Sequence, residues 1–148
     1  MGVQITFVLP ARKVSITERG SKVDDRVWTA TSSGRVRVQT RTDSSISKQT
    51  FWLKSNLKEG TFTLQTFSKD FYICINKHQK TFELIQHKKF SKKNCSFKKS
   101  RYRKNQTIVH YTNGKDKNVL ISSGGDIKVV KMEFNNPEMT FWGFNRAI

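Results

Sequence analysis

Acidic side chains are scarce in this sequence, and so are long apolar runs and helical periodicity. The 148 residues contain 11 Asp or Glu against 28 Lys or Arg, which gives a formal net charge of +17. Residues 84–115 contain no acidic residue at all. Because no apolar run is long enough to span a membrane, we expect no membrane insertion. The opening stretch MGVQITFVLPARK has no basic n-region, so a secretory signal is not evident.

Cysteine and histidine are also few. Two cysteines, Cys74 and Cys95, do not make a disulfide framework, and from the residues alone they form either one bridge or two buried free thiols. The three histidines are scattered without the spacing of a zinc site. The sequence shows no nucleophile beside a histidine and no phosphate-cradling glycine loop. We therefore expect no metal, no cofactor and no enzymatic activity.

The positive charge favours a polyanionic partner. Nucleic acid, an anionic membrane surface and a sulfated polysaccharide are the candidates. A merely solvated basic surface is the alternative, but the charge is concentrated in one part of the chain and not spread evenly.

Alternating apolar and polar residues, rich in β-branched and aromatic types, dominate the chain. The clearest segments are RVRVQT, TFTLQTF, FYICIN, TIVHY, NVLIS and DIKVVKM. Turn residues separate them, among them Asn113-Gly114 and Gly124-Gly125. Many short strands between regular turns predict an all-β sandwich or barrel.

The same order of segments occurs three times. Each unit contains a strand pair followed by a strand that bears an aromatic residue, with Phe51, Phe97 and Phe141 in corresponding places. One unit alone cannot bury its apolar face, so three must close together. We predict an all-β fold, a pseudo-threefold β-trefoil of about twelve short strands, over residues 26–148. Residues 1–25 lie outside the repeat and are predicted to be a flexible N-terminal arm.

Several segments together resemble the fibroblast growth factor family. The stretches FYICINKHQKTFELI, NCSF and KNQTIVHY are similar to the middle of that family, RVWTATSSGRVRVQ to its first hairpin, and MTFWGFN to its closing strand. The likeness covers about residues 26–144. It implies a secreted, extracellular β-trefoil ligand that binds the ectodomain of a receptor tyrosine kinase, with heparan sulfate or heparin as co-receptor. It also implies a disulfide between Cys74 and Cys95.

The resemblance implies a receptor contact at four positions, which are Trp28, Asn105, Trp142 and Phe144. The alternative for the three aromatic residues is a place in the core. Asn105 is alternatively a turn residue or, in Asn105-Gln106-Thr107, a glycosylation acceptor. Lys99 stands where the family usually has Glu, and Thr107 where it has Tyr, which puts pairing with a standard receptor in doubt.

The resemblance places the heparin loop in the third repeat, where only Lys128 and, one position off, Lys131 match. Most of the basic residues lie instead in the second repeat and the turn after it. We predict a second or replacement polyanion surface there, formed by Lys88, Lys89, Lys92, Lys93, Lys98, Lys99, Arg101, Arg103 and Lys104. Arg35 and Arg37 project from one side of the first hairpin and are expected to add to it.

Two other binding functions compete with this interpretation. Aromatic residues interleave the lysines at Phe90, Phe97 and Tyr102, and stacking combined with charge is how proteins hold single-stranded nucleic acid. Alternation around Cys95 and Phe97 points those two side chains inward, which makes a nucleic-acid partner the weaker prediction. A β-trefoil cytokine or lectin of another family is the third possibility. A lectin would repeat a Gln-x-Trp motif in each unit, whereas only Gln49-Thr50-Phe51-Trp52 comes near it.

Overall fold

A computed structural model describes residues 9–19, 26–76, 83–103, 106–113, 116–132 and 139–147. Within these residues the chain forms twelve strands and one short 3-10 helix over Asp43–Lys48. The strands are β1 (Arg12–Arg19), β2 (Arg26–Ala30), β3 (Val36–Thr40), β4 (Phe51–Asn56), β5 (Thr61–Thr66), β6 (Tyr72–Ile75), β7 (Leu84–His87), β8 (Lys98–Arg103), β9 (Gln106–Asn113), β10 (Asp116–Ser123), β11 (Asp126–Lys131) and β12 (Phe141–Arg146).

Six of these strands form the wall of a barrel. Antiparallel pairs join β1 to β12, β1 to β4, β4 to β5 and β8 to β9. A single bridge between Phe62 and Phe97 links β5 to the start of β8, and β9 lies beside β12. No ladder between β9 and β12 is present in the described part of these strands. Within the described residues, β9 and β12 are thus the one pair of neighbouring wall strands without a backbone ladder or bridge.

The other six strands form three hairpins, β2–β3, β6–β7 and β10–β11. These hairpins touch one another through Arg37–Asp126, Arg35–Ile85 and Glu83–Lys128 backbone pairs. Three hairpins that meet around one axis, on a barrel of six strands, make a β-trefoil. The predicted fold is confirmed.

Alternation along the strands sets which side chains enter the barrel. In β5 every second residue, Phe62, Leu64 and Thr66, is buried, as expected for a strand with one face on the core. The largest buried side chains are Trp28 and Trp142, whose rings meet edge to face with centroids 5.4 Å apart. Burying two indoles at the centre supplies much of the apolar contact that holds the three repeats together.

Residues 12–19 are not an arm. They form β1, which pairs with three other strands, and its Val14 and Ile16 are 2% and 0% exposed. The prediction of a flexible arm over residues 1–25 is therefore wrong for this part, because the first repeat begins with β1. The segments 1–8 and 20–25 lie outside the described residues.

Strand register corrects the predicted repeat by one residue. Leu53 faces Leu64, Lys99 faces Val109, and Phe144 faces Ile16, so Leu53, Lys99 and Phe144 are equivalent. Two residues before each of these positions, and on the same face, lie Phe51, Phe97 and Trp142. Trp142 therefore fills the place predicted for Phe141, which packs instead against a smaller cluster around Ile108, Val119 and Ile121.

The disulfide between Cys74 and Cys95 is present and buried. It joins β6 to the segment that leads into β8 and closes a loop with a sequence separation of 21 residues. A bridge over a loop of this length typically stabilises a fold by about 3 kcal/mol. Within the described residues, no helix has the length and apolar character needed to cross a membrane.

Candidate polyanion-binding surfaces

Two of the four predicted receptor residues are buried in the core. Trp28 is 0% exposed and Trp142 is 1% exposed, so neither side chain offers a surface to a partner of the folded chain, and their prediction as contacts is wrong. Phe144 is half-buried and packs edge to face on Phe62. Asn105 lies outside the described residues, and so does Lys104.

Lysines from the second repeat line a concave surface on the side of the barrel, which we call the lysine cleft. Its volume is about 400 Å³. Its described lining consists of Glu59, Thr61, Lys92, Lys93, Ser96, Lys98 and His110. Strand β8 places Lys98 directly opposite His110 of β9, and the turn before β8 supplies Lys92 and Lys93. The cleft thus combines three predicted lysines with one carboxylate, and that carboxylate pairs with Lys92.

The surroundings of His110 disfavour its protonated form. Burial is the main cause that lowers its pKa below the ordinary 6.5, and the positive charges of Lys117 and Lys98 lower it further. Ser100 on β8 is hydrogen-bonded to the imidazole Nε2. An anion that enters the cleft would reverse the charge effect, because a nearby negative charge favours the imidazolium.

The remaining predicted lysines lie at the margins. Lys88 and Lys89 are exposed in the loop after β7, where the Lys89 backbone N–H donates to His87 Nδ1 at 3.0 Å. Lys128 and Lys131 lie on β11, and they are not among the described residues that line the lysine cleft. Arg103 ends β8.

A second basic region surrounds Phe144, and we call it the arginine surface. It has two concavities that share the Phe144 ring as lining. One is a groove of about 610 Å³ along the β9–β12 seam, and the other is a hollow of about 470 Å³ beside the start of β1 and the end of β12. The groove contributes Arg19, Lys99 and Arg101, and the hollow contributes Arg12, Lys13 and Arg146. The described residues that line the two concavities include no carboxylate.

Lys99 breaks the apolar layer of the barrel. Its equivalents in the other repeats are Leu53 and Phe144, and its Nζ lies 4.6 Å from the centre of the Phe144 ring. Burial is the main cause that lowers the pKa of Lys99 below 10.5, and the charge of Arg12 lowers it further. Lys99 remains exposed to solvent as a whole residue, so only part of the hydration of its ammonium is lost at this position.

Thr107 is a second polar residue in the same layer. The counterparts of Thr107 on β1 and β5 are Val14 and Phe62. These two residues pair with the equivalent residues Phe51 and Phe97, respectively. Thr107 lines the groove together with Lys99. The polar character of the seam thus comes from two positions that are apolar in the other repeats.

Arg19 is seated closely on β12. A Cβ atom added at Gly143 would collide with the Arg19 guanidinium, so the absence of a side chain at 143 is what lets Arg19 lie across the strand. The sequence interpretation missed Arg12, Lys13 and Arg19, since it treated the first residues as an arm, and it did not single out Arg146. The alternation in RKVSITER was the available signal that these residues form a strand.

Arg35 and Arg37, which were expected to add to the basic surface, are already paired. Arg35 Nε lies 3.1 Å from Glu83 and Arg37 Nε lies 3.0 Å from Asp126. Both carboxylates come from other repeats, so these pairs join the hairpins. The expectation that the two arginines extend the polyanion surface is wrong for this structure.

Comparison with known proteins establishes the architecture and no function. No family model and no curated protein sequence matches the chain. A designed threefold-symmetric protein, ThreeFoil, superimposes with a TM-score of 0.66 at 11% identity, over 91% of this chain and 99% of that one. SeviL, solved with the asialo-GM1 saccharide, gives 0.66 at 12% identity over 93% and 99%.

A lectin from Polyporus squamosus, bound to a sialylated epitope, gives a TM-score of 0.66 at 13% identity. The alignment covers 93% of this chain but 50% of that chain. Identities at this level establish the β-trefoil fold alone. The resemblance to fibroblast growth factors stays a prediction.

Proposed function

We propose that this chain is a non-catalytic binding protein whose ligand is a sulfated polysaccharide of the heparan sulfate type, held in the lysine cleft. The observation that carries the proposal is the clustering of Lys92, Lys93 and Lys98 around one concave surface with a single carboxylate. Sulfate groups attract ammonium groups by charge, and a repeating anionic chain contacts several of them at once.

The aromatic residues favour a polysaccharide over single-stranded nucleic acid. Base stacking needs exposed rings, but Phe97 is 0% exposed. Phe90 is 47% exposed, yet its ring packs on Tyr72 with centroids 5.3 Å apart. A sulfated chain needs no stacking platform. That two trefoils of similar architecture were solved with saccharides is in keeping with a carbohydrate ligand.

The finer prediction is a secreted ligand of a receptor tyrosine kinase ectodomain. The buried Cys74–Cys95 disulfide supports an oxidising, extracellular compartment. Of the four predicted receptor contacts, Phe144 keeps a partly exposed side chain and Asn105 is undescribed. Polysaccharide binding as proposed here does not depend on a receptor.

Retention on immobilised heparin tests the proposal, beside a cation exchanger of matched charge and a single-stranded DNA resin. We expect heparin to hold the protein to distinctly higher salt than either other resin. Lys93→Gln/Lys98→Gln should remove most of that difference. The control Lys48→Gln/Lys54→Gln has the same net charge and changes two exposed lysines outside the cleft, so its selectivity should persist. Equal elution from all three resins would refute the proposal.

A further inference from the structure

The arginine surface has features that a solvated basic face does not need. Six cations from three strands line two concavities on Phe144, and none of the six forms an ion pair with a described carboxylate. The protein has few acidic residues, and in the described structure four of them are paired with Arg26, Arg35, Arg37 and Lys92. The two concavities therefore carry six positive charges and no described carboxylate in their lining.

Two side-chain placements here depart from what the fold favours. Lys99 stands at a position that is apolar in the other two repeats, with its Nζ 4.6 Å from the centre of the Phe144 ring, and the Arg19 guanidinium lies where a side chain at 143 would be. Positions where a sequence departs from what its fold favours are commonly functional. In the first repeat, by contrast, the position equivalent to Lys99 holds the apolar residue Leu53.

The chemistry of the lining limits the ligand. Four of the six cations are arginines, whose planar guanidinium binds phosphate and sulfate through two parallel hydrogen bonds. They lie in two groups that share Phe144, and the phenyl ring between them is an apolar surface for the body of a ligand. The two volumes, about 610 and 470 Å³, are of the size that small-molecule sites have.

We propose that the arginine surface is a second binding site, which takes a compact ring, a sugar or cyclitol, carrying several phosphate or sulfate esters. The ring lies on Phe144, and its ester groups reach Arg19, Lys99 and Arg101 on one side and Arg12 and Arg146 on the other. The same chemistry occurs in a free metabolite and in a phosphorylated lipid headgroup. This site goes beyond the lysine cleft and does not depend on it.

Isothermal titration with inositol hexakisphosphate at physiological salt tests the site. We expect one ligand per chain, and an affinity reduced about 100-fold by Arg19→Gln/Arg101→Gln, since each charge-assisted contact contributes about tenfold. The matched variant Lys93→Gln/Lys98→Gln has the same net charge and should bind normally. Equal weakening by both pairs, or several weak ligands per chain, would overturn the proposal.

A variant with unchanged net charge tests whether the loss of affinity comes only from lower net charge or from misfolding. Gly143→Ala keeps all six cations, and the three atoms nearest to its methyl group all belong to the Arg19 guanidinium, which must shift. We expect a clear loss of inositol hexakisphosphate affinity with an unchanged circular dichroism spectrum and unchanged heparin selectivity. Full affinity in this variant would contradict the role of Arg19. If heparin selectivity is unchanged in this variant, loss of ligand binding at the arginine surface does not affect the lysine cleft.

Sedimentation with vesicles separates the two sources of the ligand. Phosphatidylcholine vesicles with phosphatidylinositol bisphosphate are compared with vesicles of equal charge that contain phosphatidylserine. Selective sedimentation that inositol hexakisphosphate reverses supports a lipid headgroup. Titration binding without selective sedimentation supports a free ligand. Sedimentation that depends on vesicle charge alone, with no saturable titration, contradicts the site.

Discussion

The three hairpins β2–β3, β6–β7 and β10–β11, which we call the hairpin cap, differ from the arginine surface in how their positive charges are paired. At the cap, Arg35 and Arg37 of the first repeat meet Glu83 of the second and Asp126 of the third at about 3 Å. At the arginine surface, the described lining of the two concavities includes six cations and no carboxylate, and the carboxylates of Glu18 and Asp43 line a separate, neighbouring concavity. The difference shows that the high net charge is not uniform background. Arginines at the cap hold repeats together, whereas those around Phe144 are available to a ligand.

The largest effect expected from this comparison is at the cap. Glu83→Gln removes the carboxylate from a side chain that is 11% exposed and leaves Arg35 without its partner. We expect the free energy of unfolding to fall by about 1 kcal/mol, because an ion pair between two repeats is lost while Arg35, at 47% exposed, stays solvated without its partner. Urea denaturation measures this change in the free energy of unfolding. Glu59→Gln, whose partner Lys92 is mostly exposed, should cost less than about 0.5 kcal/mol, and equal losses would contradict the comparison.

A smaller effect of opposite sign is expected at Lys99. Lys99→Leu restores the apolar layer that Leu53 and Phe144 occupy elsewhere and removes a charge from its exposed edge. We expect a gain of about 0.5 kcal/mol in the free energy of unfolding, because solvent screens most of the cost of this charge, with weaker binding of inositol hexakisphosphate. Lys99→Ala, which removes the charge without filling the layer, should gain less. Destabilisation by leucine would mean that the ammonium contact with Phe144 outweighs desolvation.

The pH dependence of binding is the next effect in size. Burial, Lys117 and Lys98 lower the pKa of His110 in the free protein, and a sulfate in the lysine cleft should raise it again. Binding then takes up a proton, so the salt needed to elute the protein from heparin should rise as the pH falls from 7.5 towards 5.5. His110→Gln should elute at nearly the same salt across this range. An unchanged slope in that variant would exclude His110 as the group responsible.

The same pKa gives the smallest effect, on stability. Because the pKa of His110 is lower in the folded chain than in the unfolded chain, the unfolded state binds more protons below about pH 6.5. The contribution of His110 is thus present above the unfolded pKa and is lost as the pH falls towards the folded pKa. Thermal melts of the wild type and His110→Gln at pH 7.5 and 5.5 should show a smaller decrease in the variant. A larger decrease would contradict the direction of the shift.

The sequence was sufficient for features that repeat or that local alternation decides. Three similar units predicted the trefoil, and the acid-free stretch 84–115 predicted the lysines of the cleft. Alternation does not show which face of a strand enters the core, and the family resemblance assigned Trp28 and Trp142 to a surface. The arginine surface could not be predicted in full, because Arg12 and Arg146 become neighbours only when β1 pairs with β12.

Chemical-shift mapping on the unmodified protein tests the central claim most directly. A ¹⁵N-labelled sample is titrated with a short heparin oligosaccharide at physiological salt, and backbone amide shifts are followed. The account predicts saturable shifts at Lys93, Lys98 and His110, with no change at Arg35 and Arg37, whose charge is already neutralised. Shifts of similar size at the cap and the lysine cleft would contradict it, because they would mean that the ligand responds to total charge and not to where charge is left unpaired.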